Sequence, residues 1–260
     1  MADLILPGVQ LGRLPKKEDP RTLLMSRYIP LKPVAVPSST LWTDPKRAKK
    51  LFGVDLKWGA MLNHTLSCCV ESASGHQFQL MSLNEGRYRV PTDDEIKAFY
   101  AGVLGVDPAS IVAPGPGTYM LDALNYLRKT GIGGEKATGF TSVNLLSRSD
   151  AMLRQAIYQF GGVLYGFDCP QSAVDAYRAG DGHPWVVVPG SPSIGGHCIL
   201  LTGYDSKRYY GVSWGVLKAI DPDFIWQYGA EAYTVLTARW KVLGGFDAPK
   251  FARDLKAVAA

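Results

Sequence analysis

The chain has 260 residues, of which 47% are apolar and 20% charged, with a formal net charge of +5. This is the composition of a globular protein long enough to bury the core of one or two domains, and it excludes a globally disordered or fibrous chain. The basic excess is scattered, and its densest points, Lys16–Lys17 and Lys46–Arg47–Lys49–Lys50, lack interleaved aromatic residues, so nucleic acid is not an expected partner.

In chain order, residues 1–50 contain Pro7, Pro15, Pro20, Pro30, Pro33, Pro37 and Pro45, a spacing that favours an extended arm over helix. Leu23, Leu24, Met25 and Tyr28 are candidates to pin that arm to a body. The apolar start, Met1 to Val9, is too short and has no basic flank for an export signal. No uninterrupted apolar window of about 18 residues is present, so no membrane span is expected.

Residues 51–160 read as a helical lobe. Thr92-Asp-Asp-Glu95 forms a capping box ahead of Ile96, Phe99, Tyr100 and Val103 at helical spacing. Thr118 is placed to cap a second helix carrying Met120, Leu121, Leu124 and Leu127 and stopping at Gly131, and Ser149–Asp150 opens a third. Residues 161–243 read as a β lobe with runs at Val163–Tyr165, Trp185–Val188, Cys198–Thr202, Tyr209–Trp214 and Tyr233–Ala238, and a short helical piece at Phe224–Tyr228. Residues 244–260 form a tail helix with Phe251, Leu255 and Val258. Segregated helical and β halves give an α+β fold rather than alternating βαβ units.

Four cysteines are present: Cys68, Cys69, Cys169 and Cys198. Without an export signal, reduced thiols are the expectation. In Asn63-His-Thr-Leu-Ser-Cys68-Cys69-Val-Glu-Ser-Ala-Ser-Gly-His76, small and polar residues lead into a stretch that can be helical. A cysteine at a helix N-terminus lies near unpaired N–H groups and the positive end of the dipole, which favours a thiolate. In Gly195-Gly196-His197-Cys198, the histidine enters a β run behind two glycines and suits a general base. Period-two alternation puts Cys198 on the opposite face from His197. Taken singly, each of these residues also suits a structural role in the core.

Together, the helical-lobe cysteine, the Gly-His step and Ser213-Trp214-Gly215 in the β lobe resemble the papain-like cysteine peptidase family over roughly residues 60–240. The segment Asn63–His76, Ser213–Gly215 and Glu231-Ala-Tyr233 resemble in particular a branch encoded by bacteriophages and prophages. The resemblance implies a helical lobe and an antiparallel β lobe with the site in the cleft between them. It implies Cys69 as nucleophile, His197 as base, and Asn63, six residues before Cys69, as an oxyanion donor beside the Cys69 N–H. Pairing Ser67-Cys68 with the family's Ser-Cys step gives Cys68 as the rival nucleophile. The expected partner is then a peptide or protein substrate, and the expected setting is a host cytoplasm or a virion, where the arm would contact other virion proteins.

The family's imidazole-orienting Asn is not matched. Val212 stands at its place, and Ser213 can take the role only if the loop shifts by one residue. Trp214 either shields the Cys–His pair at the substrate cleft or belongs to the core. Two rivals to the peptidase follow: a papain-like fold that has lost turnover and serves as a structural component of a phage tail or baseplate, and a cell-wall amidase or endopeptidase. Adjacent cysteines do not reproduce the spacer of a zinc set that would also take His76, His197 and Cys198. Pro114-Gly-Pro-Gly117 and Gly131-Ile-Gly-Gly134 are turn and cap signals that lack the Gly-Lys-Ser/Thr of a phosphate loop. No metal or cofactor is expected. His64 and His183 lie in polar or turn contexts, and Glu71 and Asp205 are candidates to tune the site that the sequence alone does not place.

Overall fold

The computed structural model describes residues 8–30, 35–180 and 182–259. The apolar start up to residue 7, Pro7, Pro33 and the last residue of the tail lie outside the described residues. The expected extended arm of residues 1–50 ends early, because Asp44 caps a helix that Pro45 starts: β1 (Thr40–Leu41) and α1 (Pro45–Phe52) lie in its last part, followed by α2 (Cys69–Asn84), α3 (Asp93–Leu104), α4 (Met120–Lys129), β2 (Ala137–Ser142) and α5 (Asp150–Phe160). They are followed by β3 (Val163–Pro170), α6 (Gln171–Arg178), β4 (Ser193–Tyr204), β5 (Tyr209–Ser213), β6 (Val216–Ile220), α7 (Pro222–Tyr228), β7 (Gly229–Thr237) and α8 (Ala248–Ala259). The strands make one antiparallel sheet in the order β2-β7-β3-β4-β5-β6, with β1 paired to β4. The architecture is α+β.

Local chemistry accounts for most boundaries. The Thr92 hydroxyl accepts from the Glu95 N–H while the Glu95 carboxylate accepts from the Thr92 N–H, the reciprocal capping box. Ser149 caps α5, and Gly161 in the left-handed region ends it. Helix α4 departs from the expected start. Its N-cap is Tyr119 with no side-chain cap, because the Thr118 hydroxyl points inward and donates to Glu71 Oε1 at 2.9 Å. The run Trp185–Val188 is a strand in pattern only. Trp185 forms an isolated parallel bridge with Ile220, while Pro184 and Pro189 bracket the run and remove the donors a ladder needs. Strand β2, within residues 51–160, supplies an outer strand of the sheet by pairing with β7.

The core lies on both faces of the sheet. Along β4, Ile199 and Leu201 pack with Tyr165, Phe167, Trp185 and Phe224, while Cys198 and Leu200 pack with Cys69, Val70 and Ala73 of α2. Helix α2 is buried on every side from Cys69 to Leu83. Helices buried all round are usually apolar, yet this one carries seven polar side chains between Glu71 and Ser82. Several of them hold the preceding segment in place. Ser72 Oγ donates to the Met61 carbonyl at 2.7 Å, His76 Nε2 lies 2.8 Å from the Gly59 carbonyl, and Gln79 Nε2 donates to the Lys57 carbonyl at 2.9 Å. Gly75 permits this approach, since a Cβ there would sit 2.6 Å from both Ile96 Cδ1 and Met61 Sδ.

Of the expected arm anchors, Leu23, Met25 and Tyr28 are buried and Leu24 is exposed. The Leu23 carbonyl accepts from the Ser142 N–H, so the arm continues along β2.

Two predictions follow from these elements. Thr92→Ala removes one half of an exposed capping box and should lower the unfolding free energy by about 1 kcal/mol in urea titration, with the slope unchanged. Glu71 is buried without an ion-pair partner among the described residues, and desolvation raises its pKa from 4.5 to about 7 against the opposing Thr118 hydrogen bond. Between pH 4.5 and pH 7 the folded chain therefore holds a proton that the unfolded chain has lost, and this residue's contribution to stability declines as pH rises. Glu71→Gln lacks that loss. Its melting temperature relative to wild type should be more favourable at pH 8 than at pH 4.5, and a difference independent of pH would overturn the assignment.

Candidate active site

Cys69 is the first residue of α2, and Cys68 occupies the N-cap without a side-chain cap hydrogen bond. The two thiols face different surroundings. Cys68 Sγ lies 3.7 Å from the Met61 carbonyl and 3.5 Å from Ser72 Oγ, inside the small cluster with Met61, Leu66, Ile96 and Tyr100. Cys69 packs instead with Val70, Ala73, Cys198 and Leu200, at the junction of α2 and β4.

Asn63 follows two non-glycine residues in the left-handed region, Met61 at φ 48° and Leu62 at φ 67°. Such backbone is unfavourable for large side chains and persists only where surrounding contacts hold it. Here the Met61 carbonyl is fixed by Ser72, and Asn63 is buried with its Nδ2 donating both to the Leu66 carbonyl of its own loop at 3.2 Å and to the Gln10 carbonyl of the arm at 3.1 Å.

His197 lies within β4, which begins four residues earlier at Ser193 rather than at the histidine, and it is fully buried. Its Nε2 lies 2.8 Å from Ser213 Oγ, and its ring stacks on Trp214 with centroids 4.3 Å apart and planes at 16°. Strands β5 and β6 make this contact through a tight hairpin. Ser213 pairs with Val216, and the two residues between them, Trp214 at φ 46° and Gly215 at φ 81°, are both left-handed. Consecutive positive φ values match the right-handed twist of the strands. Gly215 accepts that geometry freely, whereas Trp214 is strained by it and is held over the imidazole. Val212 pairs with Leu200 and Leu217 in the ladder, and Ser213 is the residue that reaches the ring.

The cleft between these groups is filled by the chain's own arm. Gln10 N–H donates to the Asn63 carbonyl at 3.1 Å, and the Gln10 carbonyl accepts from Asn63 Nδ2 and from Trp214 Nε1, each at 3.1 Å. The Gly12 and Arg13 N–H groups both donate to the Gly196 carbonyl, at 3.1 and 3.0 Å. Thr118 exchanges backbone hydrogen bonds with the Gly12 carbonyl (2.7 Å) and the Leu14 N–H (2.9 Å). Residues 10–14 thus lie as an added strand between the loop ending at Thr118 and the start of β4. Gly12 is required for this fit, because a Cβ there would run into the Ser67 carbonyl oxygen.

The electrostatics follow from that cover. Burial pushes the Cys69 thiol up to about 12, the Glu71 carboxylate adds to the rise, and backbone hydrogen bonding from Cys198 and Arg13 opposes it. Burial lowers His197 to about 3, with the Arg13 charge acting in the same direction. Cys68 is also raised, chiefly by burial. At neutral pH the site therefore holds a thiol and a neutral imidazole. Nε2 of His197 is taken by Ser213, and Nδ1 is buried without a hydrogen-bond partner among the described residues, so the thiol and imidazole are not hydrogen-bonded in this state.

Two features of the site were not anticipated from the sequence. The arm contributes Gln10, Gly12 and Arg13 to the cleft, and Glu231 reaches Arg13 across it. The run Leu11-Gly12-Arg13 carries no motif, and only its apolar-Gly-basic character distinguishes it from ordinary loop. His64 and His183 are exposed and stand apart from the site, and His76 is buried against Trp58.

No protein-family model and no curated protein sequence matches the chain. Solved structures do. Xylellain, a cysteine protease from Xylella fastidiosa, superposes with a TM-score of 0.66 at 15% identity, covering 89% of this chain and 97% of that one. The procathepsin L2 proteinase of the Tenebrio molitor larval midgut gives 0.58 at 15% identity over 88% of this chain and 79% of that one. A cysteine protease of Carica candamarcensis, solved with E-64, gives 0.54 at 15% identity over 78% of this chain and 100% of that one. Identities this low carry the architecture and not the activity, and the architecture they carry is the papain-like fold.

Proposed function

We propose that the chain is a cysteine peptidase held closed by its own N-terminal arm. The observation that supports this reading best is the position of the Gln10 carbonyl. A main-chain carbonyl of the arm already accepts hydrogen bonds from Asn63 Nδ2 and from the Nε1 of Trp214, whose indole stacks on His197. The cysteine proteases with the same fold add support from comparison.

Once the arm has withdrawn and water has entered, the Cys69 thiol passes its proton to Nδ1 of His197, the ring nitrogen that Ser213 leaves available. The thiolate attacks the substrate carbonyl, and Asn63 Nδ2 with the Cys69 N–H receives the negative oxygen, each such donor being worth about 3 kcal/mol. The tetrahedral adduct collapses as the imidazolium protonates the leaving amine. Water then adds to the thioester with His197 as base, releasing the acid and restoring the thiol. Ser213 holds the ring in place of the amide that Val212 cannot supply.

A second reading is favoured by one observation. The His197 ring bonds Ser213 and makes no hydrogen bond to a thiol among the described residues, as in a fold retained for binding after turnover is lost. The likeness of Asn63–His76 and Ser213–Gly215 to phage-encoded members would place such a protein in a virion, where it would occur at fixed stoichiometry in purified particles.

Gly12→Ala tests the first reading. The collision with Ser67 should expel the arm and raise the rate of Cys69 alkylation by iodoacetamide at least about tenfold over wild type. In the Gly12→Ala chain, His197→Ala should lower peptide hydrolysis by roughly 10²–10⁴-fold, the usual worth of a general base. Cys69→Ser should abolish hydrolysis with folding intact. Hydrolysis persisting in Cys69→Ser would transfer the nucleophile to Cys68. An opened chain with no reactive thiol would favour the binding reading.

A further inference from the structure

The hydrogen bonds of Gln10, Gly12 and Leu14 described above use the arm's backbone groups, as any peptide strand would. Arg13 adds a charged side chain to them. Its Nη1 donates to Glu231 Oε1 at 3.1 Å and to the Leu14 carbonyl at 3.0 Å, and its Nη2 pairs with Asp168 Oδ1 at 2.5 Å. The Arg13 side chain is 2% exposed, Glu231 1% and Asp168 65%, so the guanidinium lies in a recess with one carboxylate at its floor and another at its rim.

The recess is built rather than fortuitous. Tyr233 donates its hydroxyl to Glu231 Oε2 at 3.0 Å, which fixes the carboxylate and leaves Oε1 facing the guanidinium. Gly166 provides the space, since a Cβ there would lie 2.5 Å from Met120 Sδ, 2.6 Å from Arg13 Cδ and 3.0 Å from Glu231 Cγ. Withdrawal of the arm would leave Glu231 without the cation it pairs with in the closed chain, a place that an incoming basic side chain can take. Two carboxylates on separate strands suit the planar fork of arginine better than the single point charge of lysine.

We propose that the recess formed by Gly166, Glu231 and Asp168 recognises an arginine side chain of the substrate, and that Arg13 occupies it in the closed chain as an internal stand-in. The inference rests on the peptidase reading and deepens it. Glu231 is its specificity-determining residue.

The test uses the full chain carrying Gly12→Ala. Peptidyl acyloxymethyl ketones with one arginine at the first, second or third residue from the reactive carbon, and alanine elsewhere, are compared with leucine and glutamate counterparts. One arginine position should label Cys69 at least about tenfold faster than its counterparts, and Glu231→Gln should erase most of that preference without abolishing labelling by the alanine probe. Equal labelling by arginine, leucine and glutamate probes would overturn the proposal while leaving the peptidase reading in place. No labelling by any probe would instead count against the peptidase reading. The recess is then read without chemistry: in Arg13→Ala, millimolar ethylguanidinium should raise the melting temperature by about 2 °C over equal sodium chloride, and Glu231→Gln should cancel the rise. Absence of that shift would overturn the proposal.

Discussion

The seating of residues 10–14 between the two lobes is the constraint on which the rest of the site depends. It joins Asn63 and Thr118 on one side to Gly196, Trp214 and Glu231 on the other through main-chain hydrogen bonds and one buried ion pair. A cleft of this kind would otherwise expose the polar groups at the start of β4 and at the end of the 114–118 loop. The arm satisfies them as a neighbouring strand would, and it removes water from the cysteine and the histidine at the same time.

That exclusion of water explains the electrostatic state of the site. A thiolate–imidazolium pair needs either solvent or close mutual contact to offset the cost of two buried charges. The closed cleft offers neither, so burial drives the Cys69 thiol upward and the His197 imidazole downward. The same burial acts on Glu231, whose carboxyl is raised by desolvation while Arg13 pulls it back. Arg13 is thus the charged side chain that the arm sets between Glu231 of β7 and Asp168 of β3.

Backbone strain is concentrated where these groups meet. Met61, Leu62 and Trp214 hold left-handed conformations that cost energy for residues with side chains. The first two lead into Asn63, whose amide donates to the Gln10 and Leu66 carbonyls, and the third keeps an indole flat on the imidazole. Helix α2 supports both ends of this arrangement. Its buried polar side chains hold residues 57–61, and Gly215 packs on the backbone of residues 58–60, with a Cβ there lying 3.1 Å from the Ala60 N.

Much of the architecture was legible locally. The Thr92–Glu95 box, the Ser149 cap and the alternation around Cys198 depend on neighbours a few residues away, and a sequence carries such information directly. The family resemblance offered Cys69 and His197 as a pair, and the misfit at Val212 offered Ser213 after a one-residue shift; of these, the structure shows the Ser213 hydroxyl on the His197 ring. What the sequence could not determine was everything contributed by residues far apart in the chain. Thr118 looked like a helix cap because local chemistry permits it, and only tertiary packing turned its hydroxyl towards Glu71. Trp185–Val188 had the composition of a strand but, between two prolines, no neighbour to complete its ladder. Above all, the sequence marked residues 1–50 as extended and gave no reason for where they run. Whether an extended segment lies on the surface or threads a cleft is settled by long-range fit, here a glycine against Ser67 and an arginine between two carboxylates, and by nothing within the segment itself.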